Sequence, residues 1–258
     1  MDLLDKTRKI NLTLQKTMSG SGISYNELAK QLSDVIVANV FIITMEGTVI
    51  GTHLTAEFTL NTEDKFSNLL PSDYQEKLSR IEQPIANVEY PTSFSMIPPL
   101  WRSMFPNMKS AIIPVHAGGS RIGTLVLQKV FEDFGSEDLI LAEMGATIVG
   151  MKIVRQRTER IESEFRDKTF AKIALSSLSY SEQIAIEKIM EQLDAKEGLL
   201  VASQLADQAG LTRSVIVNAL RKLASAGVLE SRSLGMKGTY IKILNDKFKF
   251  ELERLKSS

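Results

Sequence analysis

Apolar and polar positions follow the period of a helix and then that of a strand along the first part of the chain. Over residues 3–16 apolar side chains recur among charged ones, which predicts a first helix. Ser24-Tyr-Asn-Glu27 is a capping-box sequence, in which the serine accepts from the amide three residues on and the glutamate reaches back, so a second helix is predicted there. Residues 37–44 and 48–54 are rich in β-branched side chains and flank a short turn, which predicts a β-hairpin.

A second hairpin is predicted further along, after an irregular region. Residues 110–116 and 121–130 have strand patterns and flank the turn sequence Gly118-Gly119. Residues 55–109 contain most of the prolines together with several aromatic side chains, which predicts loops and short helices over one face of a sheet. Loops of this kind on a rigid sheet commonly bind small ligands.

The middle of the chain has the pattern of one long helix. From Ser136 the pattern is helical for about 40 residues. Residues 155–172 alternate in charge, which is typical of a solvent-exposed connecting helix. We therefore predict a first domain of residues 1–154, a linker helix of residues 155–177 that contributes to dimerisation, and a second domain of residues 178–258.

Residues 202–221 have the pattern of a helix-turn-helix. Ala206 is small where two helices cross, Gly210 can take the positive φ of a tight turn, and Thr212 would cap the second helix. The N-terminal end of such a second helix enters the major groove, where Arg can bond guanine and Asn adenine. The residues predicted to contact DNA from the two helices are Ala202, Ser203, Thr212, Arg213, Ser214, Asn218, Arg221 and Lys222.

The flanking sequences complete a winged helix. Ser179-Tyr-Ser-Glu182 is a capping box that opens a further helix, and residues 227–243 have two strand patterns around a glycine-rich tip. Arg232, Ser233 and Lys237 are predicted to lie on the wing, beside phosphate or the minor groove. DNA binding is favoured because the basic side chains coincide with the two surfaces that DNA would touch. An interaction adaptor of the same fold is the alternative, and loss of salt-dependent DNA binding would favour it.

Composition and charge narrow the function classes. With 258 residues, 43% hydrophobic and 24% charged, the chain is predicted to fold into two globular domains. The absence of cysteine excludes disulfides, thiolate metal sites and cysteine nucleophiles. The chain lacks a signal-peptide pattern and a long apolar run, so we expect a soluble, cytoplasmic protein with no membrane partner. The zero net charge divides into −4 over residues 1–154 and +4 over residues 155–258, which suits a second domain that binds a polyanion.

The sequence offers little for catalysis. The two histidines, His53 and His116, lie in predicted strands without a hydrolase, metalloprotease or nucleotide-binding motif around them. The glycine-rich segment Gly118-Gly-Ser-Arg-Ile-Gly123 lacks the Lys-Ser or Lys-Thr pair and the helix of a phosphate-binding loop, so a hairpin turn is the better interpretation. We predict that the protein is not an enzyme. A nucleotide hydrolase is the remote alternative, and measurable GTP turnover would support it.

These segments resemble those of a known family, CodY, the nutrient-sensing transcriptional regulators of low-GC Gram-positive bacteria. The resemblance is strongest in Thr212-Arg-Ser-Val-Ile-Val-Asn-Ala-Leu-Arg-Lys-Leu223 and Ser225-Ala-Gly-Val-Leu-Glu-Ser-Arg-Ser-Leu-Gly-Met-Lys-Gly-Thr-Tyr240. It extends to Leu178-Ser-Tyr-Ser-Glu182, Asp138-Leu-Ile-Leu-Ala-Glu143 and Leu3-Leu-Asp-Lys-Thr-Arg8, and it is weakest over residues 44–109.

The resemblance implies an α+β architecture and a function. The expected fold is an N-terminal GAF-type antiparallel sheet with flanking helices, a long linker helix and a C-terminal winged helix-turn-helix. The expected effectors are isoleucine or another branched-chain amino acid, with GTP as a second. The expected partner is double-stranded operator DNA with an AT-rich inverted repeat, bound by a homodimer or a tetramer that acts mainly as a repressor in the response to starvation.

The resemblance also assigns an effector pocket, with one departure. In the family an arginine clamps the ligand carboxylate, whereas residues 60–66 contain no arginine and offer Lys65 instead. Because lysine lacks the planar fork of arginine, weaker binding, a different ligand, or a sensor domain that has lost its amino acid are all open. The pocket residues that the resemblance assigns are Lys65, Phe66, Leu70, Pro71, Tyr74, Ser95, Met96, Ile97 and Pro98.

Overall fold

The computed structural model describes residues 2–18, 22–56, 69–70, 72–89, 107–193 and 196–256. The chain forms two compact units, Met1–Arg157 and Thr158–Ser258. The division falls near the start of the segment predicted as a linker, inside one continuous helix, Ser136–Ser176. The predicted α+β class is confirmed, because each unit combines an antiparallel sheet with flanking helices.

The first unit is built on a five-stranded antiparallel sheet in the order β2-β1-β5-β4-β3. Both predicted hairpins are present, as β1 with β2 and β4 with β5. The elements found among the described residues of this unit are helices α1 (Leu3–Met18), α2 (Tyr25–Ile36) and α3 (Ser72–Ser79), strands β1 (Asn39–Thr44), β2 (Val49–His53), β3 (Ile85–Glu89), β4 (Lys109–Ala117) and β5 (Ser120–Lys129), and the start of α4 (Ser136–Ser176).

Local sequence signals explain where these elements begin and turn. The Ser24 hydroxyl accepts from the backbone N–H of Glu27 at 3.0 Å, so half of the predicted capping box is formed at the start of α2. The turn between β4 and β5 uses Gly118 and Gly119 at φ 59° and 75°, a region that only glycine occupies without strain. The hairpin interpretation of the glycine-rich segment is thereby confirmed.

The two faces of the sheet have different coverings. Because side chains alternate along a strand, Val40, Ile42 and Leu125 point to one face, where they pack with α1, α2 and α4 in the main core. Phe41 and Val126 point to the opposite face. That second, smaller cluster consists of Phe41, Ile43, Leu70, Leu78, Ile112 and Val126.

The second unit is a winged helix with one strand and one helix more than the sequence pattern predicts. Its three-stranded sheet has the order β6-β8-β7, and the added elements are β6 and α8. Its elements after α4 are helices α5 (Tyr180–Gln192), α6 (Ala202–Ala209), α7 (Arg213–Ser225) and α8 (Phe248–Lys256), and strands β6 (Glu197–Leu200), β7 (Leu229–Ser233) and β8 (Thr239–Ile243).

One core holds the second unit together. Ile186, Ile216 and Leu223 are buried where α5 and α7 pack, and Phe248 brings α8 into the same cluster. The last part of α4 joins it through Ala171, Ala174 and Leu175. The predicted capping box of α5 is complete, since the Ser179 hydroxyl accepts from Glu182 N and the Glu182 carboxylate accepts from Ser179 N. These contacts set the position of α7, the second helix of the helix-turn-helix.

Candidate functional site

The turn between α6 and α7 has the geometry that the helix-turn-helix pattern predicts. Gly210 ends α6 in the left-handed conformation at φ 65°, and its neighbour Leu211 donates its N–H to the Ala206 carbonyl at 2.9 Å. Ala206 is buried, which lets α6 and α7 cross closely. The turn therefore holds the N-terminus of α7 out from the core.

The exposed side of α7 carries hydrogen-bonding side chains. Arg213, Ser214, Asn218 and Arg221 are all exposed. The opposite side of the helix packs into the core through Ile216, Ala219, Leu220 and Leu223. In the part of the chain that the structure describes, no ion pair engages either arginine, so both guanidinium groups are presented to solvent. A helix face with this set of donors and acceptors can contact base edges and phosphates.

Thr212 occupies the N-cap position of α7, as predicted, but its side chain makes a different bond. Its hydroxyl lies 2.9 Å from the hydroxyl of Ser214 and makes no capping bond to the helix backbone. The first backbone N–H groups of α7 therefore lack a side-chain cap. An uncapped helix N-terminus carries partial positive charge and attracts phosphate.

Val217 lies among these polar side chains, and the sequence pattern predicts no role for it. Its side chain is 37% exposed. It follows Arg213 by four positions and Ser214 by three, so the three share one side of α7. An apolar group at such a position can contact the methyl group of thymine. The sequence did contain a signal for this role, because Val217 is an apolar residue at a position where the helical period predicts a polar one.

Lys222 is engaged inside the unit. Its Nζ atom lies 2.6 Å from Glu182 Oε2 and 3.1 Å from the Ser177 carbonyl oxygen. The hydrogen bond from Lys222 is the main cause that lowers the pKa of the Glu182 carboxyl, with the bonds from Ser179 adding to it. The lysine predicted to contact DNA thus ties the end of α7 to the start of α5.

The remaining predicted DNA contacts lie on the wing and at the start of α6. Arg232 and Ser233 are exposed on β7, and Lys237 is exposed in the short turn Gly235–Lys237 between β7 and β8. Arg232 has a weak ion pair with Glu230 at 3.5 Å. At the start of α6, Ser203 is exposed and Ala202 is half-buried against the core.

The predicted effector pocket falls largely on segments for which no structure is described. Leu70 is described and is buried in the second cluster of the sheet, beside Phe41 and Ile112. For Tyr74 only the backbone is described, in α3. The other assigned residues, which are Lys65, Phe66, Pro71, Ser95, Met96, Ile97 and Pro98, lie outside the described residues.

Arg121 anchors the C-terminal end of helix α3, which flanks this face of the sheet. The Arg121 guanidinium donates to the carbonyl oxygens of Leu78 and Ser79 at 2.7 and 2.8 Å, and to the Thr124 hydroxyl at 3.0 Å. A cation that binds the last carbonyls of a helix also interacts favourably with the helix dipole. Burial lowers the pKa of Arg121 from its usual value, but arginine remains charged. The β4–β5 hairpin and α3 are therefore joined at Arg121.

Three buried polar side chains lie side by side at one end of the same face. In the strand register, Asn39 on β1 is opposite Gln128 on β5, and Gln128 is opposite Ser110 on β4. Alternation places all three on the face of Phe41 and Val126. The sequence pattern predicts no role for this row.

The described residues offer no metal site and no membrane span. No group of histidine and acidic side chains among them is arranged to hold a metal ion. None of the described helices has the length and apolarity needed to cross a bilayer. Both histidines lie in strands as predicted, His53 in β2 and His116 in β4.

Comparison with known proteins gives family matches over both units. Residues 2–177 match the family model described as CodY GAF-like domain, and residues 196–256 match the CodY helix-turn-helix domain. The chain is 50% identical over 261 residues to the global transcriptional regulator CodY of Shouchella clausii, covering 99% of each chain. It is 49% identical over 263 residues to the regulator of the same name from Geobacillus thermodenitrificans, covering 100% of each. Among solved structures, the cofactor-binding GAF domain of the nutrient sensor CodY from Clostridium difficile is 32% identical, with TM-score 0.43, over 59% of this chain and 98% of that one.

Proposed function

Because the chain belongs to the CodY family, with a GAF-like sensor domain followed by a helix-turn-helix DNA-binding domain, we propose that it is a global transcriptional regulator that acts mainly as a repressor. It binds an AT-rich inverted-repeat operator as a dimer and responds to a branched-chain amino acid, with GTP as a second effector. The relatives are named as regulators, a class without catalytic activity, and the chain is a regulator rather than an enzyme.

The observation that carries the DNA-binding part is the exposed side of α7. Arg213, Ser214, Asn218 and Arg221 stand on it together, and the wing adds Lys237. These are the groups that read base edges and bind phosphates, on the helix that a winged helix-turn-helix inserts into the major groove. Repression follows when such a domain occupies a promoter.

An inverted-repeat operator requires two copies of α7, and α4 offers a surface for pairing. Met151, Val154, Ile161 and Phe165 are exposed apolar side chains on this helix. They are separated by three, seven and four residues, so a coiled-coil seam along this side of the helix would also include the polar residue Thr158. The residues between them carry both signs of charge, which suits ion pairs with a second copy of the same helix. We therefore place the dimer contact on this stripe of α4.

Substitution of Phe165 tests the dimer contact. Phe165→Glu is expected to lower the mass of the particle in solution from two chains to one, because it puts a charge into an apolar seam. The matched control is Phe131→Glu, which changes a phenylalanine that is 79% exposed outside the helices. Sedimentation velocity distinguishes the two variants. A dimer that survives Phe165→Glu would place the contact on another surface.

The sensor part is supported by the second cluster of the sheet. Phe41, Ile112, Val126 and Leu70 form a buried apolar cluster on this face of the sheet, and Leu70 is one of the residues that the resemblance assigns to the pocket. The physical route from sensor to operator is a population shift, in which the ligand favours the dimer arrangement that sets the two recognition helices about 34 Å apart. The proposal that GTP is a second effector rests on family membership alone.

One titration tests the proposed function. Fluorescence anisotropy at fixed salt measures the affinity for an AT-rich inverted repeat and for random DNA, without effector and with millimolar isoleucine, leucine, valine or GTP. Tighter operator binding with isoleucine supports the proposal. Operator binding that no amino acid alters would leave a DNA-binding regulator with a lost or different ligand, and absence of DNA binding would favour an interaction adaptor.

A further inference from the structure

We propose that the buried row Asn39, Gln128 and Ser110 is the subsite that recognises the polar head of a zwitterionic amino acid in the sensor domain. In this assignment the side-chain amide N–H of Asn39 donates to the ligand carboxylate, and the carbonyl oxygen of Gln128 accepts from the ligand ammonium. The inference rests on the proposed sensor function and specifies which residues replace the missing arginine clamp.

The polar row lies at the edge of the apolar cluster on this face of the sheet, where the polar end of a ligand packed on that cluster would be. Asn39, Gln128 and Ser110 are neighbours on β1, β5 and β4. Directly beside them along the same three strands and on the same face are Phe41, Val126 and Ile112. A polar row next to an apolar row matches a molecule with a charged head and an aliphatic tail.

Within the described part of the chain, two atoms of this row are buried without a hydrogen-bond partner, which is unfavourable for the stability of the fold. Asn39 and Gln128 are each 1% exposed, and Ser110 is 5% exposed. Polar groups buried to this degree almost always have hydrogen-bond partners, because an unpaired one has lost water without replacement. Asn39 Nδ2 and Gln128 Oε1 nevertheless have none among the described residues. A site that is completed only by a ligand explains why such groups are kept.

The existing bonds determine which atoms are left over. Asn39 Oδ1 accepts from the Thr55 backbone N–H at 2.8 Å, which fixes the orientation of the amide and leaves Nδ2 as the unpaired donor. Gln128 Nε2 lies 3.4 Å from Ser110 Oγ, which leaves Oε1 as the unpaired acceptor. The row thus offers one donor and one acceptor from residues directly opposite each other.

This pair of unpaired atoms matches an α-amino acid. Side chains opposite each other in an antiparallel pair have Cβ atoms about 5 Å apart, and the ammonium and carboxylate of an amino acid are attached to a single carbon atom. A carboxylate accepts from Asn39, and an ammonium donates to Gln128. Neutral amides cost less to bury than an arginine, so the site is compatible with an apolar surrounding before the ligand arrives.

Calorimetric titration of the full chain with three probes tests the assignment. The probes are isoleucine, 3-methylpentanoate, which lacks the ammonium, and 2-methylbutylamine, which lacks the carboxylate. Gln128→Met removes the acceptor with little change in shape, and Asn39→Asp keeps the acceptor for Thr55 while replacing the free donor by oxygen. The control is Ser33→Ala, which removes a hydroxyl of similar burial on α2, away from this face.

Each variant is expected to weaken isoleucine binding about tenfold or more, since each removes a hydrogen bond to a charged group. Gln128→Met should make the protein indifferent to removal of the ligand ammonium. Asn39→Asp should bind 2-methylbutylamine at least as well as isoleucine, because the aspartate oxygen repels the ligand carboxylate. The Tm of Gln128→Met without ligand should be equal to or above that of the unaltered chain, because an unpaired buried group is gone. A merely structural row would not produce this combination.

The failures are distinguishable. If the unaltered chain binds isoleucine and Gln128→Met binds it equally well, the subsite is wrong while the proposed sensor function stands. If both variants lose binding together with a large fall in Tm, the row is structural and the subsite assignment is overturned. If the unaltered chain binds none of isoleucine, leucine and valine, the amino-acid sensor and the subsite fail together.

Discussion

In the second unit the side chains proposed to contact DNA, such as Arg213 and Asn218, are exposed to water, whereas in the first unit Asn39 and Gln128 are each 1% exposed. The first set includes full charges on a helix surface. The second consists of neutral amides on an internal face of a sheet, next to Phe41 and Val126. The groups proposed to bind a partner are therefore charged and exposed in the second unit, and neutral and buried in the first.

The size of each partner explains this difference. DNA carries its phosphates on its outer surface, so they can reach cations that remain hydrated until contact. A small ligand must be enclosed, so the polar groups that meet it are buried before it arrives, and burying an ion there would cost far more than burying an amide. Substitutions on the exposed side of α7, at Arg213 or Asn218, should thus change binding without changing folding, while substitutions around the sensor sheet should change stability as well.

Arg213→Ala is expected to have the largest effect and to separate binding from folding most clearly. Loss of a bidentate contact to a base lowers the operator affinity by about 1–3 kcal/mol, with no change in Tm because the side chain is exposed. Anisotropy titration and thermal unfolding measure the two quantities. The control is Arg166→Ala, which removes an exposed arginine from α4. Unchanged operator affinity would reject the assignment, and equal loss on random DNA would reassign Arg213 to phosphate.

Arg121→Met should have the next largest effect, on the first unit. It removes the bonds from the guanidinium to the carbonyls of Leu78 and Ser79, and we expect the free energy of unfolding to fall by about 1–2 kcal/mol. Operator affinity without effector should not change. Urea unfolding followed by circular dichroism measures the loss. Arg80→Met is the matched control, because Arg80 is 75% exposed and pairs with Glu76 one helical turn away. Equal losses in the two variants would refute the anchoring role.

Glu182→Gln should cost about 1 kcal/mol in the second unit, since it weakens both the capping box and the pair with Lys222. The bond from Lys222 lowers the pKa of Glu182, so this carboxylate stabilises the fold above the unfolded pKa of about 4.3. That contribution disappears as the pH falls through the folded pKa. Unfolding measured from pH 6 down to pH 3 should therefore bring the unaltered chain and the variant together.

The control for this experiment is Glu191→Gln, which changes an exposed carboxylate paired with Lys188 on the same helix. It should alter the stability little at any pH, because exposed pairs contribute little. If Glu191→Gln and Glu182→Gln responded to pH alike, the buried position of the Glu182 carboxylate would not be the cause.

Local signals made most of the second unit predictable. The capping box at Ser179 and the small residues Ala206 and Gly210 act within a few positions of the chain, so the sequence alone locates the helix-turn-helix. Lys222 was less accessible to sequence reasoning. It is a basic residue on the recognition helix, which is what a DNA contact requires. Only the packing of α7 against α5 brings its side chain to Glu182.

The polar row of the sensor sheet could not be predicted for the same physical reason. Asn39, Ser110 and Gln128 are far apart in sequence, and only the pairing of β1, β5 and β4 makes them neighbours. Taken one at a time, a polar residue in a strand does not indicate a binding site. Their shared burial and the two unpaired atoms are properties of the assembled sheet.

The two lysines predicted to contact DNA provide the finest test of this contrast. Lys237 is exposed in the turn between β7 and β8. If it contacts phosphate, Lys237→Ala lowers the slope of log affinity against log salt concentration by about one, on operator and random DNA alike. Lys188→Ala is the control, because it removes the same charge from an exposed pair on α5. An unaltered slope would place Lys237 off the interface.

Lys222→Ala should do the reverse. Its ammonium is 2.6 Å from Glu182, so its loss should lower the stability of the second unit and leave the salt slope unchanged. Anisotropy over a series of salt concentrations, with urea unfolding of the same samples, measures both. A slope that also falls by about one in this variant would mean that Lys222 leaves Glu182 to reach phosphate when DNA binds. Lys222 would then stabilise the fold in the free protein and contact DNA in the complex.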